Sequence, residues 1–451
     1  MKTGTKQLTF LFLALSIFAI SAKNRGIYNQ NGNDCFMNAS TQALSHIPEL
    51  REFYSKIKNL KEFKQSTPLI FFFNYMNLLG PLPESEQDRL GGLKGSKRFR
   101  SYWTNPKNYP EANIGNLENL ARGQHDAQEF LSSILAILDF YFDKLIIDSN
   151  NMKLKNPINS IKFKLKNSTK SLECEHSSSK EDDASLLSLP IEGQNLYDCL
   201  NKFSEEEKLV DETDPTNINP RTKKPYDRDN RWKCEICSKN KGANIKVDAA
   251  KYIKISTLPK YLIIQLKRFE FGGLEDKLDT PIKFPENLIL NKDSSILDEY
   301  ITEKLDNRTI TYTLFAFICH GGGTGGGHYW AYAKDQDNGW YLYNDAKISS
   351  AGKSKNLKPE DLLSKILRSG LDNNVGGYPN ATPYILFYEL DSNSQKTLTD
   401  MAKIKAKPKP KAKPKPSPLQ PKLTQLKLSL EELKKKLQTL QDKLKVLQQK
   451  L

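Results

Sequence analysis

Cysteine is scarce in this chain, with six among 451 residues at positions 35, 174, 199, 234, 237 and 319. In a chain of this size, so few cysteines make no disulfide scaffold. Long apolar runs are scarcer still. The stretch from Leu8 to Ile20 is too short for a comfortable membrane span. The body of the chain also lacks excess charge of either sign. The formal +15 is concentrated at the end, where Asp391 to Leu451 carry sixteen lysines against five acidic residues. That leaves about +4 for the first 390 residues, so the basic balance describes a tail and no nucleic-acid partner is expected.

What is present divides the chain into regions. Lys2 and Lys6 precede the apolar run, and Ala19 and Ser21 follow suitably for cleavage, so residues 1–22 read as a signal peptide or hydrophobic leader. Residues 26–150 carry a helical pattern, clearest in Phe130-Leu131-Ser-Ser-Ile134-Leu135-Ala-Ile137-Leu138. From 155 to 250 polar loops separate short strand-like runs such as Ser185 to Ile191, and a Pro/Asp/Asn-rich insert, Asp211 to Arg231, reads as a loop. From 250 to 390 strand signals dominate at Tyr261–Leu266, Thr311–Cys319, Trp340–Tyr343 and Tyr384–Tyr388, and they predict a buried antiparallel sheet. Helices first and strands after predict an α+β fold.

Residues 391–422 form a Lys/Pro-rich linker of polyproline character. Residues 423–451 place leucines at alternating spacings of three and four, the seam of a coiled coil able to join homo- or hetero-oligomers. A single amphipathic helix folding back on the body is the alternative.

Cys35 stands where a Gly/Asn-rich loop, Gly26-Ile-Tyr-Asn-Gln-Asn-Gly-Asn-Asp34, turns into a helix. A helix N-terminus supplies partial positive charge and unpaired N–H groups that stabilise a thiolate. A matching base, His328 in Gly327-His328-Tyr329, lies almost three hundred residues downstream. The pair can meet only in the fold, as cysteine-peptidase dyads do.

Five segments in order resemble the ubiquitin-specific proteases, the papain-like deubiquitinating cysteine peptidases. They are Gly32-Asn-Asp-Cys35-Phe-Met-Asn-Ala-Ser-Thr-Gln, Gln124-His-Asp126-Ala-Gln-Glu129-Phe130, and Trp232-Lys-Cys234-Glu-Ile-Cys237 continuing to Leu258–Phe269. The histidine box follows, from His320 through Gly327-His328-Tyr329 to Trp340-Tyr-Leu-Tyr-Asn344-Asp345, and then Tyr384–Tyr388. The resemblance implies a thumb at 26–150, fingers at 155–250 and a palm at 250–390, within a papain-like deubiquitinase fold followed by the coiled-coil helix. It implies hydrolysis of (iso)peptide bonds at the C-terminal glycine of ubiquitin, with ubiquitin and ubiquitinated proteins as partners and no cofactor required for catalysis.

By that resemblance Cys35 is the nucleophile, His328 the base and Asn344 its orienter, with Asp345 as substitute or assistant. The oxyanion donor is Gln30 or Asn29, because the loop carries one extra residue. Asp34 replaces the usual threonine, and its charge is expected to raise the thiol's pKa. Gln124, Asp126, Glu129, Gly327 and Tyr329 are the substrate-binding candidates. Asp126 and Glu129 are expected to face the basic tail of ubiquitin, and Gly321–Gly327 to form a flexible flap. A finger zinc needs four ligands, and Cys174, His176, Cys234 and Cys237 can supply them, with Ser171 where a further cysteine would stand. Fingers held by strands alone are the alternative.

An intracellular substrate and a leader predict a protein secreted by its signal peptide and acting in a eukaryotic host's cytoplasm, the alternative being a cytoplasmic protein. Asn38-Ala-Ser40 is a glycosylation acceptor inside the nucleophile's own helix, where a sugar would obstruct folding or the site. A ubiquitin-binding module with impaired catalysis, or a protease for a ubiquitin-like modifier, are the competing functions.

Overall fold

The computed structural model describes residues 26–76, 96–108, 117–151, 153–211, 229–269, 277–323, 326–335, 338–353 and 361–403. The leader, most of the Asp211–Arg231 insert and the coiled coil lie outside the described residues. Two units are distinguished, residues 1–397 and 398–451. Among the described residues no helix is long and apolar enough to cross a membrane.

The amino-terminal part is helical: α1 (Cys35–Ser45), α2 (Pro48–Ile57), α3 (Lys61–Gln65), α4 (Thr67–Tyr75), α5 (Ser96–Trp103) and α6 (Ala127–Asp148). All eleven residues of α1 are buried, so the helix that opens on Cys35 runs through the core. The start of α6 is fixed by Asp126, whose carboxylate accepts the Gln128 N–H at 2.7 Å. Its three-and-four apolar spacing then buries Phe130, Leu131, Ile134, Leu135, Ile137 and Leu138. At about 1.5–3 kcal/mol for each large side chain taken from water, that stripe binds the helical part together.

The strands and later helices follow as β1 (Phe163–Ser171), β2 (Ser177–Ala184), β3 (Leu187–Pro190), α7 (Leu196–Phe203), β4 (Glu207–Leu209), β5 (Trp232–Lys233), α8 (Glu235–Lys241), β6 (Lys246–Val247) and β7 (Ala249–Thr257). Strands β2, β1, β7 and β4, in that order, form one antiparallel sheet, and β5 pairs with β6 as a separate ribbon. The chain continues through β8 (Tyr261–Lys267), β9 (Asn287–Leu290), α9 (Glu299–Leu305), β10 (Ile310–Gly323), β11 (Gly326–Lys334), β12 (Gly339–Asn344), β13 (Lys347–Lys353), α10 (Leu362–Ser369), β14 (Thr382–Leu390) and α11 (Ser392–Lys403).

The large sheet has the order β13-β12-β11-β10-β14-β8-β3, with β9 also paired to β10. It departs from the expected antiparallel pattern at β3, which runs parallel to β8. The chain leaves β3 to add β4 and β7 to the small sheet and returns to β8, the long crossover that a parallel pair requires. The segment read as linker also differs, since Ser392–Lys403 is helical. No proline occurs within Ser392–Lys403, so the helix escapes that break.

Helix α1 lies on the large sheet. Cys35, Phe36 and Ala39 share one apolar cluster with Ile318, Tyr329, Ala331 and Tyr343, which brings the start of α1 to the strand that carries His328.

Candidate active site

Cys35 is only 1% exposed. The backbone N–H groups of Tyr329 and Phe36 and the side-chain amide of Gln124 address its sulfur, the last at 3.5 Å. Burial outweighs them and pushes the thiol up to about 11, with the Asp345 carboxylate adding to the rise. The free thiol is therefore held protonated, and its activation falls to a base.

His328 precedes Tyr329 on β11 and pairs across the ladder with Gly321. Its Nε2 lies 2.7 Å from Asn344 Oδ1. A carbonyl oxygen can only accept, so Nε2 carries the hydrogen and neutral His328 keeps its lone pair on Nδ1. Tyr378 stacks on the ring at 5.6 Å between centroids and 26°. Asp345 Oδ2 stands at 4.0 Å from Nε2, outside hydrogen-bonding reach, so the direct partner of the ring is Asn344.

Asp345 instead ties the loop before Cys35 to the sheet. Its carboxylate accepts from Asn38 Nδ2 at 2.7 Å and Asn29 Nδ2 at 3.1 Å. The Tyr75 hydroxyl donates to Asn38 Oδ1. Sequence reasoning gave Asn38 and Tyr75 no role in the site. Asn38 lies in the cysteine box one helical turn after Cys35, and that spacing was the available signal. Tyr75 offered none.

Of the two oxyanion candidates the fold turns Asn29 inward, where its Oδ1 also accepts the Asp34 N–H at 3.1 Å. Gln30 is exposed, with its backbone N–H on Ser96 Oγ at 3.0 Å. The expectation for Asp34 is corrected. The carboxylate that bears on the thiol is Asp345, whereas Asp34 is buried in a 2.8 Å ion pair with Arg100.

Gln124 spans from Cys35 to the glycine hairpin. Its Nε2 donates to the Gly327 carbonyl at 2.6 Å, and its Oε1 accepts the Gly327 N–H at 2.9 Å. The expected flap is a paired ladder, with Gly321↔His328, Gly322↔Gly327 and Gly323↔Gly326 in register. Gly321, Gly322 and Gly327 answer to crowding, whereas a Cβ on Gly323 or Gly326 would meet nothing within 4 Å. A Cβ on Gly327 would stand 2.4 Å from His320 Nε2 and 2.5 Å from the Gly321 carbonyl.

Asp126 has internal work beyond capping α6, because the Tyr384 hydroxyl donates to both its oxygens at 2.7 and 2.6 Å. The pattern Asp126-x-x-Glu129 before an apolar run was the signal for a cap. Glu129 is exposed in the first turn of α6 and Tyr329 is buried.

The finger cysteines converge. Cys237 Sγ lies 3.5 Å from both Cys174 Sγ and His176 Nδ1, Cys234 Sγ lies 3.5 Å from His176 Nδ1, and Cys174 and Cys234 stand 4.0 Å apart. Tetrahedral bonds of about 2.3 Å to sulfur and 2.0 Å to nitrogen set ligand atoms about 3.5–3.8 Å apart, so the group fits a structural zinc. Ser171 supplies the turn and not a ligand. Its Oγ accepts the N–H groups of Glu173 and Cys174 at 3.1 and 2.9 Å, and the metal would clamp two loops of the fingers.

Comparison with known proteins agrees with this arrangement. Residues 25–388 match the family model described as ubiquitin carboxyl-terminal hydrolase. Ubiquitin carboxyl-terminal hydrolase 9 of Arabidopsis thaliana is 31% identical over 218 residues, 47% of this chain and 18% of the relative. Ubiquitin carboxyl-terminal hydrolase 8 of Saccharomyces cerevisiae is 29% identical over 259 residues, 54% of this chain and 50% of the relative. The chain thus spans half or less of the length of these relatives. The SAGA Ubp8/Sgf11/Sus1/Sgf73 DUB module bound to ubiquitin aldehyde superposes with a TM-score of 0.54 at 24% identity, over 82% of this chain and 70% of the other, a likeness of fold. With a match across the whole span from the cysteine loop to the last strand of the sheet, the chain belongs to the ubiquitin carboxyl-terminal hydrolase family.

Proposed function

We propose that this chain is a thiol-dependent ubiquitinyl hydrolase that cleaves (iso)peptide bonds at the C-terminal glycine of ubiquitin. The observation that carries the reading is the His328 ring oriented by Asn344 at 2.7 Å, one residue before the N–H that Tyr329 directs at the Cys35 sulfur. His328 Nδ1 takes the thiol proton as Cys35 Sγ attacks the Gly–Lys carbonyl carbon. It then returns that proton to the leaving lysine amine, and water hydrolyses the thioester by the same relay. Asn29 and the N–H groups at the start of α1 stabilise the oxyanion, and exposed Glu129 meets the basic tail of ubiquitin. Cys174, His176, Cys234 and Cys237 would hold a zinc in the fingers, where it would supply rigidity and not chemistry.

A ubiquitin carrying a C-terminal propargyl group tests the reading. Labelling of the wild type that vanishes in Cys35→Ala supports it, and folded wild-type protein that stays unlabelled overturns it in favour of a binding module. That second reading draws on Asn29, whose amide is already engaged by Asp345. Parallel probes built on ubiquitin-like modifiers decide the substrate class.

Export through residues 1–22 to a host cytoplasm belongs to the same proposal. It draws on the apolar leader and on Asn38, 2% exposed, where a glycan and the folded site exclude one another. A reporter fusion retained inside the producing cell would remove it.

A further inference from the structure

Asp34 and Arg100 form a buried ion pair directly ahead of the nucleophile, with side chains 0% and 4% exposed. Arg100 spreads its guanidinium over three acceptors on two segments. Its Nη1 donates to Asp34 Oδ1 at 2.8 Å, its Nε to the Leu120 carbonyl at 2.7 Å, and its Nη2 to the Gly123 carbonyl. Its Cζ lies 5.4 Å from the centroid of the Phe36 ring. The other Asp34 oxygen accepts from Asn31 Nδ2 at 3.0 Å. Each end of this arrangement leads to Cys35. Asp34 is the N-cap residue of the helix that Cys35 begins, and Gly123 precedes Gln124, whose amide touches the sulfur.

We propose that Arg100 is a positioning residue of the reaction, one that fixes the Cys35 loop and the Gln124 segment as a single piece while cancelling the Asp34 charge beside the thiol. The inference rests on the reading of Cys35 as nucleophile. Two functions are combined in one side chain. Charge cancellation needs only a cation, whereas joining three acceptors needs the planar fork that lysine lacks.

The titratable groups around Cys35 come from every neighbouring element: Asp345 after β12, Tyr75 on α4, Tyr329 and His328 on β11, and Asp34 itself. Asp345 and the tyrosines are unchanged in the variants below, so differences among them report the pair. Removing Arg100 leaves a carboxylate uncompensated one residue from the sulfur. Removing the Asp34 charge leaves a cation there. The thiolate should be disfavoured in the first case and favoured in the second.

The experiment uses the full chain with Arg100→Gln, Arg100→Lys, Asp34→Asn and the double variant Asp34→Asn/Arg100→Gln. The rate of Cys35 alkylation by iodoacetamide at pH 8, read on the Cys35 peptide by mass spectrometry, reports thiolate content. Arg100→Gln should slow it about tenfold and Asp34→Asn should speed it about tenfold, one pH unit in opposite senses. The double variant and Arg100→Lys should stay within about threefold of wild type. Turnover of ubiquitin bearing a C-terminal aminocoumarin separates the second function: Arg100→Lys should lower kcat about tenfold with KM unchanged.

Shifts of the same sign in the two single variants, or wild-type kcat in Arg100→Lys, would overturn the proposal. Should Arg100→Gln fail to fold, the double variant carries no orphaned buried charge, and Asp34→Asn must still react about tenfold faster than it. The alkylation assay involves no ubiquitin. Loss of propargyl labelling in the wild type therefore strikes the parent reading alone, and a missing alkylation pattern strikes this one.

Discussion

Cys35 and Cys237 are the same side chain in opposite surroundings. Cys35 stands alone in a dry core, and burial is the main reason its thiol rises to about 11. Cys237 is half exposed in the fingers, and it rises to about 12 because Cys234 and Cys174 crowd it. Cys174 beside it is drawn down to about 6, first by the Ser171 hydroxyl. Where one thiol has one oriented imidazole within the fold, the proton has a single route and the sulfur is prepared for attack. Where three thiols and an imidazole lie within 4.8 Å of one another, the arrangement suits a divalent cation, whose binding displaces the thiol protons. Neighbours, and not the residue type, divide reactive from structural cysteine.

The sharpest way to break that division is to exchange the losses. Cys35→Ala should reduce ubiquitin hydrolysis by about four orders of magnitude or more and leave zinc stoichiometry at one per chain. Cys237→Ala should empty the metal site while probe labelling at Cys35 survives in the folded fraction. Metal analysis beside labelling reads both, and loss of labelling in well-folded Cys237→Ala would merge the two roles.

Asn344→Ala comes next. Without the acceptor 2.7 Å from Nε2 the tautomer is no longer fixed, and kcat should fall about a thousandfold with KM little changed. Asp345→Asn in parallel tests whether the 4.0 Å carboxylate takes part. A deeper loss there than in Asn344→Ala would reverse their order.

The burial of Cys35 also has a thermodynamic signature. A rise from 9.0 to about 11 corresponds to about 2.7 kcal/mol. Between those values the folded chain keeps a proton that the unfolded chain has lost, so stability declines as pH climbs through that window and is unaffected below it. Urea midpoints from pH 8 to 11 should fall less steeply for Cys35→Ala than for wild type. Parallel slopes would mean that the thiol is not held protonated. The smallest effect concerns the turn behind the metal ligands. Ser171→Ala removes the acceptor for two N–H groups of the knuckle and should weaken zinc binding about tenfold, measured by chelator competition.

Much of this site was legible because its chemistry is written in short local boxes. Cys35 at a loop-to-helix turn and His328 behind glycines could be placed without coordinates, Asn344 followed from the resemblance of its segment to the family's histidine box, and His176 beside Cys174 completed the metal set by chemistry. The strands of the large sheet were legible from their apolar aromatic runs. What stayed hidden depends on contacts between distant segments. Arg100 carries no local mark that it would meet Asp34, 66 residues away, so the acid was read as an unpaired charge. The extra residue in the loop left Asn29 and Gln30 equivalent on paper, and only tertiary burial separates them. The glycine run was read as freedom because sequence does not say what approaches a missing Cβ, which at Gly327 is His320 and a backbone carbonyl.

Asn38 carries a consequence in time. It is the acceptor of a glycosylation triplet, yet in the folded chain its amide is committed to Asp345, Ile27 and Tyr75. Attachment of a sugar would have to precede folding, and a chain so marked could not afterwards close its site. Any active molecule is thus a record of its own route, certifying that it folded before, or without, meeting the glycosylating machinery.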